Sequence, residues 1–197
     1  MSTSVALPLH SAPARGAYHG AMRLQDASDE WLAARAARGG ADAFEQLVLR
    51  YQDRLYTLAL RVTLSEPDAR DCVQDGLISA WRAIDRFRGD ARFSTWIYRI
   101  VIRKAYDALD RRKRSAVPVE AIDVPDVERS TEDRLDLMAA LATLEPDFRA
   151  AVVACDIVGM SMDDAADALG VPPGTVKSRL SRARERLAEH LEANRTP

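Results

Sequence analysis

One stretch constrains this chain more than any other: FSTWIYRIVIRKAYDALDRRKR, from Phe93 to Arg114. With Ser94 as its cap, Phe93, Trp96, Ile97, Ile100, Val101, Ala105, Ala108 and Leu109 fall on one helical stripe, the pattern of a face turned toward a core. The other face carries Arg99, Arg103 and Lys104, then the block Arg111, Arg112, Lys113 and Arg114, offset only by Asp107 and Asp110. Burying one side of this helix leaves a positive strip on the other, for which phosphates are a natural counter-charge. Just upstream, residues Arg86 to Phe93 interleave aromatic and basic side chains about Gly89. That composition suits unstacked bases, since rings stack and guanidinium groups hold the backbone. A plainer alternative, with Phe93 and Trp96 as core and the arginines as a solvated face, fits the same periodicity and stays open.

Composition bounds the rest. A chain of 197 residues, 47% hydrophobic and 29% charged, has room for one large or two small soluble domains. Its longest apolar run is far short of the roughly 18 residues of a membrane span, and the opening residues lack a charged segment followed by a long apolar one. We therefore expect no secretory signal, no membrane insertion and a cytoplasmic location. Cys72 and Cys155 are far apart and each lies on an apolar stripe, which predicts buried thiols in a reducing compartment. The net charge of −2 hides segregation. Acids gather at Asp68, Asp71 and Asp75 and between Glu120 and Asp133, while bases gather from Arg99 to Arg114 and from Lys177 to Arg186. Two basic helices with an acidic connector predict two nucleic-acid sites.

Taken in order, residues 1–27 are rich in Ala, Ser, Pro and Gly without a period and are expected to be disordered. Ser28 opens a short helix with Asp29 and Glu30 in its first turn and Gly39 and Gly40 at its end. From Asp42 a longer helix places Phe44, Leu47, Val48, Tyr51, Leu55, Leu58, Ala59 and Val62 inward, with Arg50, Arg54 and Arg61 outward. Ser65 to Asp68 form a capping box with Pro67 inside the first turn. The helix that follows carries the stripe Ala69, Cys72, Val73, Gly76, Leu77, Ala80, Trp81 and Ile84, leaving Asp71, Gln74, Asp75 and Arg82 outside. By themselves, such exposed acids usually serve solubility. Residues 115–129 break the pattern with two prolines and four acids, and read as an extended acidic linker between two domains, 28–114 and 130–192.

Beyond the linker, Ser130 with Asp133 makes another capping box, followed by Leu135, Met138, Leu141 and Ala142 on the inner face. Glu145 and Pro146 start the next helix, with Phe148, Ala151, Val152 and Cys155 inward. Ser161 and Asp164 then cap a helix whose Ala165, Ala166 and Leu169 face inward, Gly170 ends it, and Pro173 starts GTVKSRLSRARERL. This is the helix-turn-helix pattern. On its second helix Val176, Leu180, Ala183 and Leu187 face the partner, leaving Lys177, Ser178, Arg179, Ser181, Arg182 and Arg186 for base edges and phosphates in a major groove. Pro172 stands where a hydroxyl cap is usual.

Together, DAFEQLVLRYQDRLYTLALR, the segment from Asp68 to Ile100 and PPGTVKSRLSRARERL resemble the extracytoplasmic-function (ECF) sigma factors of the sigma-70 family, in the order and with the acidic separator that family has. The resemblance covers almost the whole chain after Ser28. It implies an all-α fold of two small helical domains, a region 2 bundle and a region 4 helix-turn-helix. It implies docking of Asp71, Gln74, Asp75 and Trp81 on the clamp helices of the largest subunit of core RNA polymerase, with the flap as a further contact. It assigns the minus-ten element to Arg88, Gly89, Asp90, Arg92, Phe93, Trp96, Arg99, Arg103 and Lys104, with a flipped base captured there. The minus-thirty-five element falls to Thr175, Lys177, Ser178, Arg179, Ser181 and Arg182, and the linker threads toward the RNA exit path. Two residues depart from the pattern: Arg103 stands where asparagine is common, and Pro172 where serine is.

The implied function is transcription initiation without covalent chemistry, with promoter DNA and core polymerase as partners and an anti-sigma factor as regulator. No catalytic constellation is expected. His10, His19 and His190 are scattered and no Cys/His cluster has metal-ligand spacing, so neither metal nor cofactor is expected. The competing class is a helix-turn-helix regulator whose N-terminal helices sense a ligand or dimerise, and which binds its operator alone. An RNA-binding antiterminator ranks last, since it leaves the helix-turn-helix unused.

Overall fold

The computed structural model describes residues 23–115 and 131–195. Among these lie eight α-helices and no strand: α1 Asp29–Ala36, α2 Ala41–Thr63, α3 Glu66–Ala83, α4 Phe93–Ser115, α5 Thr131–Ala142, α6 Pro146–Val152, α7 Met162–Leu169 and α8 Pro173–Arg195. The all-α class implied by the resemblance is what the described residues form.

Local chemistry sets most boundaries. The Ser28 hydroxyl accepts the Trp31 N–H at 3.2 Å to open α1, and Asp29 and Glu30 complement the helix dipole. Leu64 closes α2 in the left-handed region at φ +55°, and the Ser65 hydroxyl then accepts the Asp68 N–H at 3.4 Å to open α3. Residues 1–22 lie outside the described residues. Within the stretch 1–27 expected to be disordered, Leu24–Asp26 form a 3₁₀ turn. Arg50 explains it. Instead of pointing outward from α2, its guanidinium donates to the carbonyl oxygens of Gln25 at 2.7 Å and Leu24 at 3.3 Å and pairs with Asp29 at 2.6 Å.

α2, α3 and α4 pack against one another around Leu47, Leu55, Leu58, Val62, Ile97 and Val101, all buried. At the crossing of α3 and α4 a Cβ on Gly76 would sit 2.7 Å from Val101 Cγ2, so this glycine is required by close approach rather than by conformation. Gly76→Val is expected to lower stability by about 2 kcal/mol through overpacking, seen as an earlier thermal melt by circular dichroism. The helix α4 starts at Phe93, not after a Ser94 cap, because the Arg92 carbonyl already accepts the Trp96 N–H at 3.1 Å.

In the C-terminal half the side chains of the Ser130–Asp133 capping box and Leu135 lie outside the described residues. Met138 and Leu141 face inward as expected, but Ala142 is exposed. Leu144, three residues beyond Leu141, takes the next inner position instead. α6 runs into one turn of π-helix, Val153–Ile157, marked by the Val158 N–H bonding back to the Val153 carbonyl at 2.9 Å. α7 opens on Ser161, whose hydroxyl accepts the Asp164 N–H at 3.1 Å, and closes on Gly170 at φ +67°.

Two domains joined by a linker from residue 115 are expected; Ser115 is in fact the last residue of α4, and residues 116–130 lie outside the described residues. The halves touch: α4 packs on α7 and α2 on α6. One apolar cluster runs from Leu55 and Leu58 through Leu141 and Val153 to Leu180.

Candidate nucleic-acid and protein-docking surfaces

The outer face of α3 is acidic at one end and apolar at the other. Asp71, Gln74 and Asp75 are exposed, and so are Ile78 and Trp81, at 40% and 41%. Positions 71, 74, 75, 78 and 81 follow helical spacing, so they form one strip. Trp81 does not enter the core as its place on the sequence stripe suggests. Its ring leans on Phe44 at 5.0 Å and stays half in solvent. Ile78 was missed by sequence reasoning, although the same spacing points to it. Asp68 separates from this strip: it lies 3.0 Å from Arg112 Nε as an ion pair and is partly buried. Beneath the strip, burial pushes the Cys72 thiol up to about 11, which keeps it protonated and unreactive at neutral pH.

The second surface is the turn before α4 and the helix itself. Gly89 adopts φ +78°, which frees the chain to reverse, and Arg88, Asp90 and Arg92 project around it. The aromatic residues divide between two tasks. Phe93 is only 1% exposed, wedged between Tyr51 at 5.5 Å, Phe87 at 5.8 Å and Trp96 at 5.6 Å. A ring so placed cannot reach a base, so the expectation of direct contact from Phe93 is corrected to the core alternative. Trp96 and Phe87 are half-buried and lie 5.3 Å apart, so they retain accessible ring surface. Arg99 and Arg103 are exposed and Lys104 is partly so. Within the terminal basic block, Arg112 turns inward to Asp68 and to the Thr63 carbonyl at 3.3 Å, a structural task.

The third surface is α8. The missing hydroxyl at Pro172 is offset by its carbonyl, which accepts the N–H groups of Thr175 at 2.9 Å and Val176 at 3.2 Å. Val176, Leu180 and Ala183 are buried, and Lys177, Ser178, Ser181 and Arg182 are exposed, as the spacing predicts. The basic excess is smaller in effect than in count. Arg184 is paired with Asp156 through two bonds of 3.0 and 2.6 Å. Arg186 lies over the Phe148 ring at 5.2 Å and 3.7 Å from Glu145. Arg179, expected to face outward, is mostly buried and bonded to Asp147, while Lys177 and Arg182 project outward. Asp147 also meets the phenol of Tyr106 from α4, whose ionisation is driven up first by burial and then by that carboxylate. Thr175, Ser178, Arg179 and Arg182 thus share a groove with Tyr106, Leu109 and Lys113.

Two stretches of the chain match known families. Residues 47–115 match the family "Sigma-70 region 2" and residues 134–187 match "Sigma-70, region 4". Over 186 residues the chain is 41% identical to the ECF RNA polymerase sigma factor SigM of Mycobacterium tuberculosis, covering 93% of each. The chain is an ECF sigma factor of the sigma-70 family. This sigma factor is also 33% identical to the ECF RNA polymerase sigma-E factor of Escherichia coli, over 84% of its own length and 95% of that protein. Among solved structures it is similar to CnrH in complex with the cytosolic domain of CnrY, at TM-score 0.69 and 35% identity, covering 84% of the chain and 97% of CnrH. The sigma factor RpoE in complex with the anti-sigma factor NepR from Bartonella quintana gives the same TM-score at 32% identity, covering 77% and 98%. Region 2 of this sigma factor therefore comprises most of α2 with α3 and α4, and region 4 comprises most of α5 with α6, α7 and most of α8. Among the described residues no helix is long and apolar enough to cross a membrane. As a member of its family the protein is a transcription initiation factor, which brings core RNA polymerase to promoters.

Proposed function

We propose that this sigma factor acts through three surfaces on two small domains, residues 28–114 and 130–192, joined by the acidic segment 115–129. Asp71, Gln74, Asp75 and Trp81 on α3 dock on the clamp helices of the largest polymerase subunit, with Ile78 inside the same contact, and the C-terminal domain meets the flap. Arg88, Gly89, Asp90, Arg92, Trp96, Arg99, Arg103 and Lys104 engage the minus-ten element, over the support that Phe93 gives from the core. Opening the duplex there costs a few kcal/mol for each flipped base, and stacking on an accessible ring returns about 1–3 kcal/mol per base. Thr175, Lys177, Ser178, Arg179, Ser181 and Arg182 read the minus-thirty-five element in the major groove. The protein works in the cytoplasm beside the polymerase, performs no covalent chemistry, and is held in check by an anti-sigma factor, the last supported by the complex of the similar RpoE with the anti-sigma factor NepR.

One observation carries this reading: an exposed acidic and apolar strip on α3 accompanies two basic surfaces on different helices. A regulator that binds DNA unaided would use the strip, if at all, to dimerise, and needs no second basic surface on α4. Run-off transcription with purified core polymerase on a promoter library tests it directly. The sigma factor should create new start sites with core and select no operator alone; tight, sequence-specific binding by the unaided chain to repeated half-sites would favour a conventional regulator.

The two arginines of α8 should behave differently. Arg182→Ala is expected to weaken promoter binding for all sequences and lower the salt slope by about 1, as loss of one phosphate contact does. Arg179→Ala should cost about 1–3 kcal/mol and relax selectivity at one base position. Fluorescence anisotropy of the polymerase complex at several salt concentrations separates them.

A further inference from the structure

The start of α6 holds two arginines of α8, and it holds them differently. Arg186 lies 3.7 Å from Glu145 and over the Phe148 ring at 5.2 Å, and its side chain stays 46% exposed. Arg179 donates through Nη2 to the Asp147 carboxylate, and its side chain is only 21% exposed. Arg184 is fixed elsewhere, by its two bonds to Asp156. With Val176, Leu180 and Ala183 buried as well, α8 is fastened to the rest of region 4 without the help of Asp147. What this carboxylate adds is the direction of one side chain.

Direction matters because of what lies around it. Arg179 shares its groove with Thr175, Ser178 and Arg182, three of the residues assigned to the minus-thirty-five element. An unpaired arginine on a helix face samples many rotamers, and ordering it on a base costs affinity. The bond to Asp147 engages Nη2, which leaves further N–H donors of the planar guanidinium for a base edge. A fork held in advance can meet two acceptors at once, the geometry by which arginine discriminates one base from another.

We propose that Asp147 is a positioning residue for promoter recognition: its carboxylate orients Arg179 before DNA arrives, and so sets how sharply one base of the minus-thirty-five element is chosen. This rests on the assignment of Arg179 to that element. Asp147 is itself an anion near the duplex, so its removal takes away selectivity without taking away attraction to phosphate. A residue that only clamped α6 to α8 would instead, when lost, weaken binding to every sequence alike.

The test measures binding of the polymerase complex, by fluorescence anisotropy, to duplexes that carry each of the four bases at every position of a selected minus-thirty-five element. Arg179→Ala should lower the preference for one base at one position about tenfold. Asp147→Ala should lower the preference at that same position about three- to tenfold, keep affinity for the other three bases within about twofold, and add nothing when combined with Arg179→Ala. Tyr106→Phe removes the other side-chain bond to Asp147 and should change none of these values. Should Asp147→Ala melt early, Asp147→Asn, of the same size, gives the same comparison. A preference untouched by the loss of Asp147, equal weakening for all four bases, additive losses in the double variant, or an equal loss from Tyr106→Phe each overturns the positioning role. Undiminished preference at every position in Arg179→Ala would instead remove Arg179 from the minus-thirty-five contacts, and the role of Asp147 with it.

Discussion

Asp71→Lys combined with Asp75→Lys is expected to lower affinity for core RNA polymerase by about 100-fold, or about 2.7 kcal/mol. Both carboxylates are exposed on α3 beside Ile78 and Trp81, so each lysine replaces attraction with repulsion at the rim of an apolar contact. Substitutions at exposed sites of this kind typically move stability by no more than about 0.5 kcal/mol each, so the thermal melt should stay nearly in place. Asp68→Lys provides the contrast. It breaks the partly buried pair with Arg112 and leaves two cations together, so it should melt earlier while the docking strip keeps its charge. Immobilised core polymerase and a melting curve read both quantities; undiminished binding by the double lysine variant takes α3 out of the docking surface.

Phe93→Ala should cost about 3–5 kcal/mol of stability, the usual loss for a buried phenylalanine. The side chain is 1% exposed and touches three aromatic rings, so removal leaves a cavity where the glycine turn meets α4. Phe93→Leu, which keeps more volume, should cost about 1–2 kcal/mol and leave promoter melting intact. Trp96 is half-buried against Phe87; Trp96→Leu should keep the fold and weaken the open complex, since the stacking surface is lost. Permanganate footprints beside chemical denaturation distinguish the two. A well-folded Phe93→Leu protein that fails to melt promoters would return Phe93 to the DNA surface.

The sequence was informative where the physics is local. Caps at Ser28, Ser65 and Ser161, the left-handed stop at Gly170 and the inward spacing along α2, α4 and α8 involve residues within one or two turns of each other. The exposure of the acidic strip on α3 and of the basic faces of α4 and α8 was legible for the same reason, and the motifs that carried the family resemblance lie on them. What spacing could not supply is which long side chains turn back on the protein. Arg50, Arg112 and Arg179 sit on polar faces yet meet partners 21 to 49 residues away. Periodicity likewise could not divide Phe93 from Trp96, since both lie on the stripe and the first is enclosed by Tyr51 of the distant α2 together with Phe87 and Trp96. The contact of α4 with α7 is of this kind too, because the acids of α7 read locally as a helix cap.

For both basic surfaces to read one promoter, polymerase must hold them in register along one duplex, and spacing tests this most directly. With purified core polymerase and a promoter selected by this sigma factor, about 5 base pairs inserted between the two elements turns one through half a helical turn relative to the other. Transcription should fall by more than tenfold, with little change in the binding of core to the sigma factor. Initiation at an unchanged rate and start site would contradict the claim that both surfaces read the same promoter at once.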